Sequence, residues 1–169
     1  MITIRRIRPD EGMRLRAIRM EALAESPSAF GSTLAETATR PPEYWERRAA
    51  DNAAGEGSVL FVAEGPDGWC GLAGAYLDEH DPGSTDLISM WVRLACRGRG
   101  LGERLVEAVV EWAGVRGLWQ VALWVTANNA PAIALYERCG FRSTGGTQPL
   151  PWNPSLLEHQ MVRELEARG

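Results

Sequence analysis

The chain has 169 residues, enough for one domain with a buried core and too few for two independent ones. With 45% hydrophobic and 24% charged residues, its composition is that of a globular rather than a disordered protein. No apolar run reaches the roughly 20 residues that span a bilayer, and a formal net charge of −4 gives no general attraction to nucleic acid. We therefore expect a single cytoplasmic domain over residues 1–169, with no nucleic-acid or membrane partner.

The first half of the chain predicts one strand and two helices. Residues 2–7 alternate as in a strand, and Pro9 opens a helix whose apolar residues recur at helical spacing as far as Leu23. Residues 26–40 have no period and contain turn residues, which predicts an ordered loop. A second helix is expected over residues 41–54, because proline is well placed in a first helical turn.

The second half alternates strands with helices, as in an α/β domain. A hairpin turn at 65–68 separates the first two of these strands. The predicted strands are 58–65, 69–77, 87–94, 118–125, one from Phe141 and a last one at 156–162, with helices at about 101–113 and 130–138 and a loop at 144–155.

Some residue types exclude whole classes of chemistry. The three cysteines Cys70, Cys96 and Cys139 have neither the even number of a disulfide framework nor the paired spacing of zinc ligands. All 18 basic residues are arginine, so there is no lysine for a Schiff base or for a P-loop. We expect no metal site.

The segment 97–102, RGRGLG, runs directly into an amphipathic helix. The first turn of a helix carries unpaired N–H groups at the positive end of the helix dipole, which suits anionic oxygens. Glycines allow such oxygens to approach the backbone, and Arg97 and Arg99 add charge for phosphate. The dinucleotide pattern GxGxxG fails, because Glu103 stands where the last glycine is needed in the frame that starts at Gly98.

Two motifs resemble those of the GNAT N-acetyltransferase superfamily. Residues 97–102 have the form [RQ]xxGx[GA] of its pyrophosphate loop, and residues 129–141 reproduce its NxxAxxLYxxxGF pattern. Residues 22–36 are also similar to many bacterial small-molecule members. The resemblance implies an α/β fold with a mixed sheet of six or seven strands and about four helices.

The resemblance further implies that acetyl-CoA is the donor. In the family, two parallel strands diverge, here near residues 90–92 and 124–125, and the pantetheine arm enters the gap like an added strand. The N–H near Val92 would polarise the thioester carbonyl. The implied coenzyme contacts are Met90, Trp91, Val92, Arg97, Gly98, Arg99, Gly100, Leu101, Gly102, Glu103, Asn129, Ala132 and Tyr136.

Tyr136 is the candidate general acid. A thiolate leaves faster if a proton arrives during departure, and the family has a tyrosine near the coenzyme sulfur at this position. A stabilising role without proton donation is the alternative.

The general base is open, because the attacking amine must lose a proton and no motif identifies the acceptor. Glu36, Glu79 and Asp86 are the carboxylate candidates, and His80 or His159 could relay a proton.

The acceptor pocket is expected, by resemblance, between the segments 26–40 and 144–155. Phe30, Trp45, Trp124 and Trp152 are its candidate residues, and such rings suit a small amine with an apolar part or a cation.

Three functions remain open at this point. The first is acetylation of a small primary amine by direct transfer in a ternary complex. The second is acetylation of a protein N-terminus or lysine, and the third is an acyl-CoA binding module without turnover. A homodimer formed through the last strand is expected by analogy alone.

Overall fold

The computed structural model describes residues 1–166, which form one seven-stranded mixed sheet with helices on both faces. The strands are β1 (Thr3–Arg6), β2 (Ser58–Gly65), β3 (Gly68–Asp78), β4 (Asp81–Val92), β5 (Gln120–Thr126), β6 (Arg142–Leu150) and β7 (Asn153–Glu164). The helices are α1 (Gly12–Glu25), α2 (Leu34–Ala38), α3 (Pro42–Ala54), α4 (Leu101–Val115) and α5 (Ala130–Arg138), with short 3₁₀ turns at Pro27–Ala29 and Leu94–Cys96. The predicted mixed α/β class is confirmed.

The helix count exceeds the expected four because α2 lies within the segment 26–40, predicted as a loop. The side chain of Thr33 accepts from the backbone N–H of Glu36, and the Glu36 carboxylate accepts from the N–H of Thr33. This reciprocal capping box satisfies donors that a short helix would otherwise leave unpaired. Its pattern, Thr-x-x-Glu, was the available sequence signal.

The segment 144–155, also predicted as a loop, is mostly an antiparallel hairpin of β6 and β7. Its glycines and prolines are accommodated because β6 is an edge strand and its register shifts between Ser143 and Thr147. The pairing order β1-β2-β3-β4-β5-β7-β6 places β7 inside the sheet. From Glu158 to Glu164, β7 is paired with β5, and β6 pairs with its other edge. The homodimer through the last strand stays a prediction.

The sheet separates two cores. Helix α4 packs on one face, where Leu105, Val106 and Val109 are fully buried. Helices α1 and α3 cover the other face, where Leu23 and Trp45 belong to the second core. Any site that spans the sheet must therefore pass between strands.

Strands β4 and β5 provide such a passage. They pair in parallel at only three registers, the last of which joins Asp86 to Ala122. Beyond that pair β4 continues to Val92 and β5 to Thr126 without pairing to each other. The expected divergence of these strands is present.

Candidate active site

The glycine-rich loop before α4 presents a row of unpaired backbone donors. Gly98 and Gly100 have φ angles of 80° and 75°, which side chains rarely adopt, and a Cβ at either would meet nothing within 4 Å. The backbone N–H groups of residues 98–103 donate to no atom of residues 1–166. Because they point from the positive end of α4, they suit an anionic group with several oxygens.

The two arginines of this loop differ in their environment. The Arg97 guanidinium donates to the Val92 carbonyl at 2.7 Å and to a Glu25 carboxylate oxygen at 3.0 Å, and its backbone N–H donates to the Leu94 carbonyl. These contacts hold the loop to α1 and β4, and the binding of pyrophosphate by Arg97 stays a prediction. Arg99 is exposed and has no partner within the described chain, so its charge remains available.

The backbone of β4 faces the gap at Val92. The neighbouring N–H of Arg93 donates to the Cys70 carbonyl in β3 at 2.8 Å. Because hydrogen bonds alternate along an antiparallel strand, the N–H of Val92 points away from β3, towards β5.

The two side chains before Val92 on β4, those of Met90 and Trp91, go to opposite faces of the sheet. Trp91 is buried in the α1/α3 core, and its Nε1 donates to Glu25 at 2.9 Å. Met90 packs against the α4 core, where its methyl carbon lies 3.5 Å from a Cβ built on Gly102. The expected contact of Trp91 with the coenzyme is thus limited to its backbone.

Helix α5 packs beside the first turn of α4, where Leu135 lies 3.0 Å from a Cβ built on Gly102. The Asn129 Oδ1 accepts from the backbone N–H of Ala132 at 3.3 Å and caps the helix. The Asn129 side-chain amide N–H₂ has no partner among residues 1–166, whereas the Ala132 N–H is used by the cap.

Tyr136 is buried on the α4/α5 face, with 7% of its surface exposed, and its ring packs against Phe141 at a centroid distance of 5.9 Å. Its hydroxyl forms no hydrogen bond within the described residues. Burial, with a smaller contribution from Cys139, raises the pKa of this hydroxyl well above its usual value. The Tyr136 hydroxyl therefore carries its proton at neutral pH.

A cavity of about 400 Å³ lies on the opposite face of the sheet. Its wall includes Asp86 of β4 and Trp124 of β5, which stand where the two strands begin to diverge. The cavity therefore meets the gap from the side opposite α4.

Three of the four predicted aromatic residues line this cavity. They are Phe30, Trp45 and Trp124. Trp152 does not line it. Its Nε1 donates to the Phe30 carbonyl at 2.8 Å. The structure thus places Trp152 behind Phe30, and its contact with an acceptor stays a prediction.

Two of the base candidates line the cavity, namely Asp86 and Glu36. Burial, assisted by the charges of Asp78 and Asp81, raises the pKa of Asp86 to about 6. Glu36 is held in its capping box.

The other candidates for proton transfer lie outside the cavity. Glu79 and His80 are exposed in the turn between β3 and β4, and His159 lies on β7, paired with Val125. A role for them in proton transfer stays a prediction that this cavity does not support.

Sequence reasoning missed the arginines of this cavity, Arg19, Arg40 and Arg48. Arg19 follows buried Leu15 by four positions and precedes buried Leu23 by four, so it lies in the apolar stripe of α1. An arginine within a buried stripe was the available signal, but charged helical residues are usually solvated.

Among residues 1–166, no cluster of His, Cys, Asp and Glu could hold a metal ion. No helix of this part of the chain is both long and apolar enough to cross a membrane.

Residues 20–141 match the model of the acetyltransferase (GNAT) family. The chain belongs to the GNAT acetyltransferase family. This GNAT chain is 32% identical over 126 residues to a mycothiol acetyltransferase of Clavibacter michiganensis, covering 75% of this chain and 38% of that protein. It is 32% identical over 122 residues to an L-methionine sulfoximine/L-methionine sulfone acetyltransferase of Pseudomonas aeruginosa, covering 69% and 70%.

This GNAT chain thus spans less than half the length of the mycothiol acetyltransferase that it matches. A solved Salmonella typhimurium acetyltransferase with its cofactor acetyl-CoA aligns over 100% of this chain and 96% of its own, with a TM-score of 0.81 and 19% identity. The predicted family resemblance and the predicted GNAT fold are confirmed.

Proposed function

We propose that this chain is one acetyltransferase domain that moves an acetyl group from acetyl-CoA to a primary amine of a small molecule, by direct transfer in a ternary complex. The observation that carries the proposal is the run of unpaired N–H groups at residues 98–103, beside the gap between β4 and β5. These donors suit a pyrophosphate, and the open strand edges suit a pantetheine arm. A fold neighbour with acetyl-CoA supports the choice of donor.

Backbone and amide donors would orient the donor molecule. Residues 98–103 and Arg99 hold the pyrophosphate, and the amide of Asn129 bonds to the pantetheine arm. The N–H of Val92 faces the thioester carbonyl and stabilises the negative charge that develops on its oxygen.

The general base and the general acid would act from opposite faces of the sheet. Asp86, directly or through water, accepts a proton from the ammonium, so that the amine nitrogen can attack the carbonyl carbon. As the carbon–nitrogen bond forms, the carbon–sulfur bond breaks and Tyr136 protonates the departing thiolate. The attacking nitrogen is then still positively charged, and its second proton passes through water to the tyrosinate, which restores Tyr136. The products are an acetamide and the free thiol of coenzyme A.

The shape of the acceptor side favours a small molecule over a protein. The cavity holds about 400 Å³ and is lined by aromatic rings, which suits a compact ligand. The two relatives described above are named for acetylation of small molecules. A protein N-terminus or lysine would require an open groove, and a binding module without turnover would not require Tyr136 and Asp86.

The first experiment is a calorimetric titration of the protein with acetyl-CoA, desulfo-CoA and NADH. We expect the two coenzyme A compounds to bind and NADH not to bind, because the cradle recognises the pyrophosphate together with the pantetheine arm. A panel of amines then follows, with thiol release as the measurement. Absence of binding to either coenzyme A compound would overturn the donor assignment. Binding without thiol release for any amine would leave only a binding module.

A further inference from the structure

Three arginines line the acceptor cavity, and none of them forms an ion pair with a carboxylate of residues 1–166. They are Arg19 of α1, Arg48 of α3 and Arg40, which precedes α3. Guanidinium groups at the wall of a cavity are normally compensated by acidic side chains. Here the cavity also has carboxylates, but within residues 1–166 none of them forms an ion pair with these arginines.

Arg19 is the one of these that is fixed at the gap between the strands. Its Nη1 donates to the Ser89 hydroxyl at 3.3 Å, and its guanidinium carbon lies 4.9 Å from the centre of the Phe30 ring. Ser89 has a φ of 58°, an unusual value for a serine, at the irregular part of β4 just before Met90. The Arg19 charge is therefore placed where the cavity meets the gap.

The charge on Arg19 is partly desolvated. Burial, assisted by the like charge of Arg48, lowers the pKa of Arg19 to about 10, so that it is still charged at neutral pH. A partly desolvated cation without an opposite charge is costly, and an anion beside it would offset that cost.

An indole N–H without an acceptor belongs to another residue of this wall. Trp45 is only 3% exposed, and its Nε1 is buried without a hydrogen-bond partner in the described chain. Buried indole N–H groups usually have an acceptor, and an indole can only donate. Within residues 1–166, Arg19 thus lacks an anionic partner, and the Trp45 Nε1 lacks any acceptor.

The carboxylates of the cavity stand apart from these cations. Glu36 accepts from the backbone N–H of Thr33, and Glu158 of β7 accepts from the Gln148 amide at 3.1 Å. Asp86 of β4 has no hydrogen-bond or ion-pair partner within residues 1–166. The cavity thus offers cations from its helical side and one uncommitted carboxylate from the sheet.

We propose that the acceptor is an α-amino acid or an equally compact zwitterion, whose anionic group binds Arg19 and whose ammonium faces Asp86. This assignment rests on the acetyl transfer proposed above. A single carbon separates the carboxylate of an α-amino acid from its nitrogen, so a carboxylate at Arg19 brings the nitrogen to the gap. Arg40 and Arg48 add repulsion against amines with several positive charges.

The test compares acids with their uncharged counterparts. Thiol release is measured with the common L-amino acids and L-methionine sulfone, with their carboxamides, and with spermidine. We expect the best acid to exceed its carboxamide and spermidine by about 10²-fold in kcat/KM, because the unpaired guanidinium is satisfied only by the acid. Comparable or faster acetylation of the carboxamides or of spermidine would overturn the zwitterion assignment and leave acetyl transfer intact.

Variants of α1 separate binding from folding. Arg19→Gln should lose most of the preference for the acid, Arg19→Lys should recover part of it, and neither should change the affinity for acetyl-CoA. Arg16→Gln is the matched control, because Arg16 lies on the same helix outside the cavity and should keep the preference. An unchanged preference in a folded Arg19→Gln protein would overturn the assignment. If that variant does not fold, the ratio of acid to carboxamide in the natural protein decides the matter alone. No thiol release from any amine, despite acetyl-CoA binding, would remove the transferase proposal and this assignment with it.

Discussion

The two faces of the sheet carry the two halves of the candidate site, and they are built by different means. On the α4/α5 face the donors are mostly backbone N–H groups of one short segment, residues 98–103. On the α1/α3 face the site consists of side chains that come from positions between Leu15 and Glu158. A site made of backbone requires particular residues in a row, whereas a site made of side chains requires only that the fold bring them together.

Glu25, at the end of α1, connects the two halves. Its carboxylate accepts from Trp91 Nε1 in β4 and from Arg97 in the loop before α4. The position of the glycine-rich loop before α4 is thus tied to the helix that carries Arg19. Sequence analysis offered no reason to select this glutamate among those of α1, since its partners lie far away in the chain.

The largest expected effect is on the backbone half. Gly100→Val places a β-branched side chain at a φ of 75°, in open space beside the unpaired donors. We expect kcat/KM for acetyl-CoA to fall by about 10³-fold, because each lost hydrogen bond to a charged group is worth roughly 1.5–3 kcal/mol. The measurement is calorimetric titration together with steady-state kinetics.

Gly117→Val is the matched control for this change. Gly117 also has a φ of 75° and open space around it, but it lies at the other end of α4. Both variants should lose similar thermal stability, and Gly117→Val should bind acetyl-CoA normally. Equal loss of affinity in the two variants would show that strain, not the phosphate cradle, is responsible.

This contrast explains how much the sequence could predict. The glycine loop follows from a local pattern, the divergence of β4 from β5 was implied by the family resemblance, and the structure shows both. The side-chain half could be predicted only as a set of aromatic residues and carboxylates. Whether Trp152 lines the cavity or holds Phe30 depends on a contact across 122 positions, which no local pattern contains.

Tyr136→Phe tests whether the α4/α5 half of the site also supplies a general acid, the Tyr136 hydroxyl. The hydroxyl has no partner in the described chain, so its removal should leave stability and acetyl-CoA affinity nearly unchanged. We expect kcat to fall by about 10²-fold, the lower end of the range for general acid catalysis. Unchanged turnover would remove the general-acid role and favour a purely structural tyrosine.

Asp86→Asn tests the side-chain half through its pH dependence. A base must be ionised, so activity of the natural protein should rise with pH through about 6, the raised pKa of Asp86. At pH 8 the variant should lose about 10²-fold in kcat, and the difference should shrink below pH 6, where the natural carboxyl is protonated. Because the folded pKa exceeds the unfolded value, this group's contribution to stability falls as pH rises towards 6, and the variant should melt slightly higher at pH 8.

Asp78→Asn is the control for that profile. Asp78 lies outside the cavity, and its charge helps to raise the pKa of Asp86. Its removal should shift the acidic limb to lower pH without reducing the maximal rate. A limb that stays in place would assign the titration to another group.

The smallest expected effect concerns Trp152, which acts on the cavity only through Phe30. Trp152→Phe removes the donor of the 2.8 Å hydrogen bond to the Phe30 carbonyl, a loss of about 1 kcal/mol. We expect a rise of a few-fold in KM for the acceptor, with kcat and acetyl-CoA affinity unchanged. The control is Trp119→Phe at an exposed tryptophan, which should change neither KM, kcat nor acetyl-CoA affinity. A fall in kcat as large as that of Asp86→Asn would instead place Trp152 against the reacting molecules. In that case the acceptor half would extend beyond the cavity, to the turn between β6 and β7.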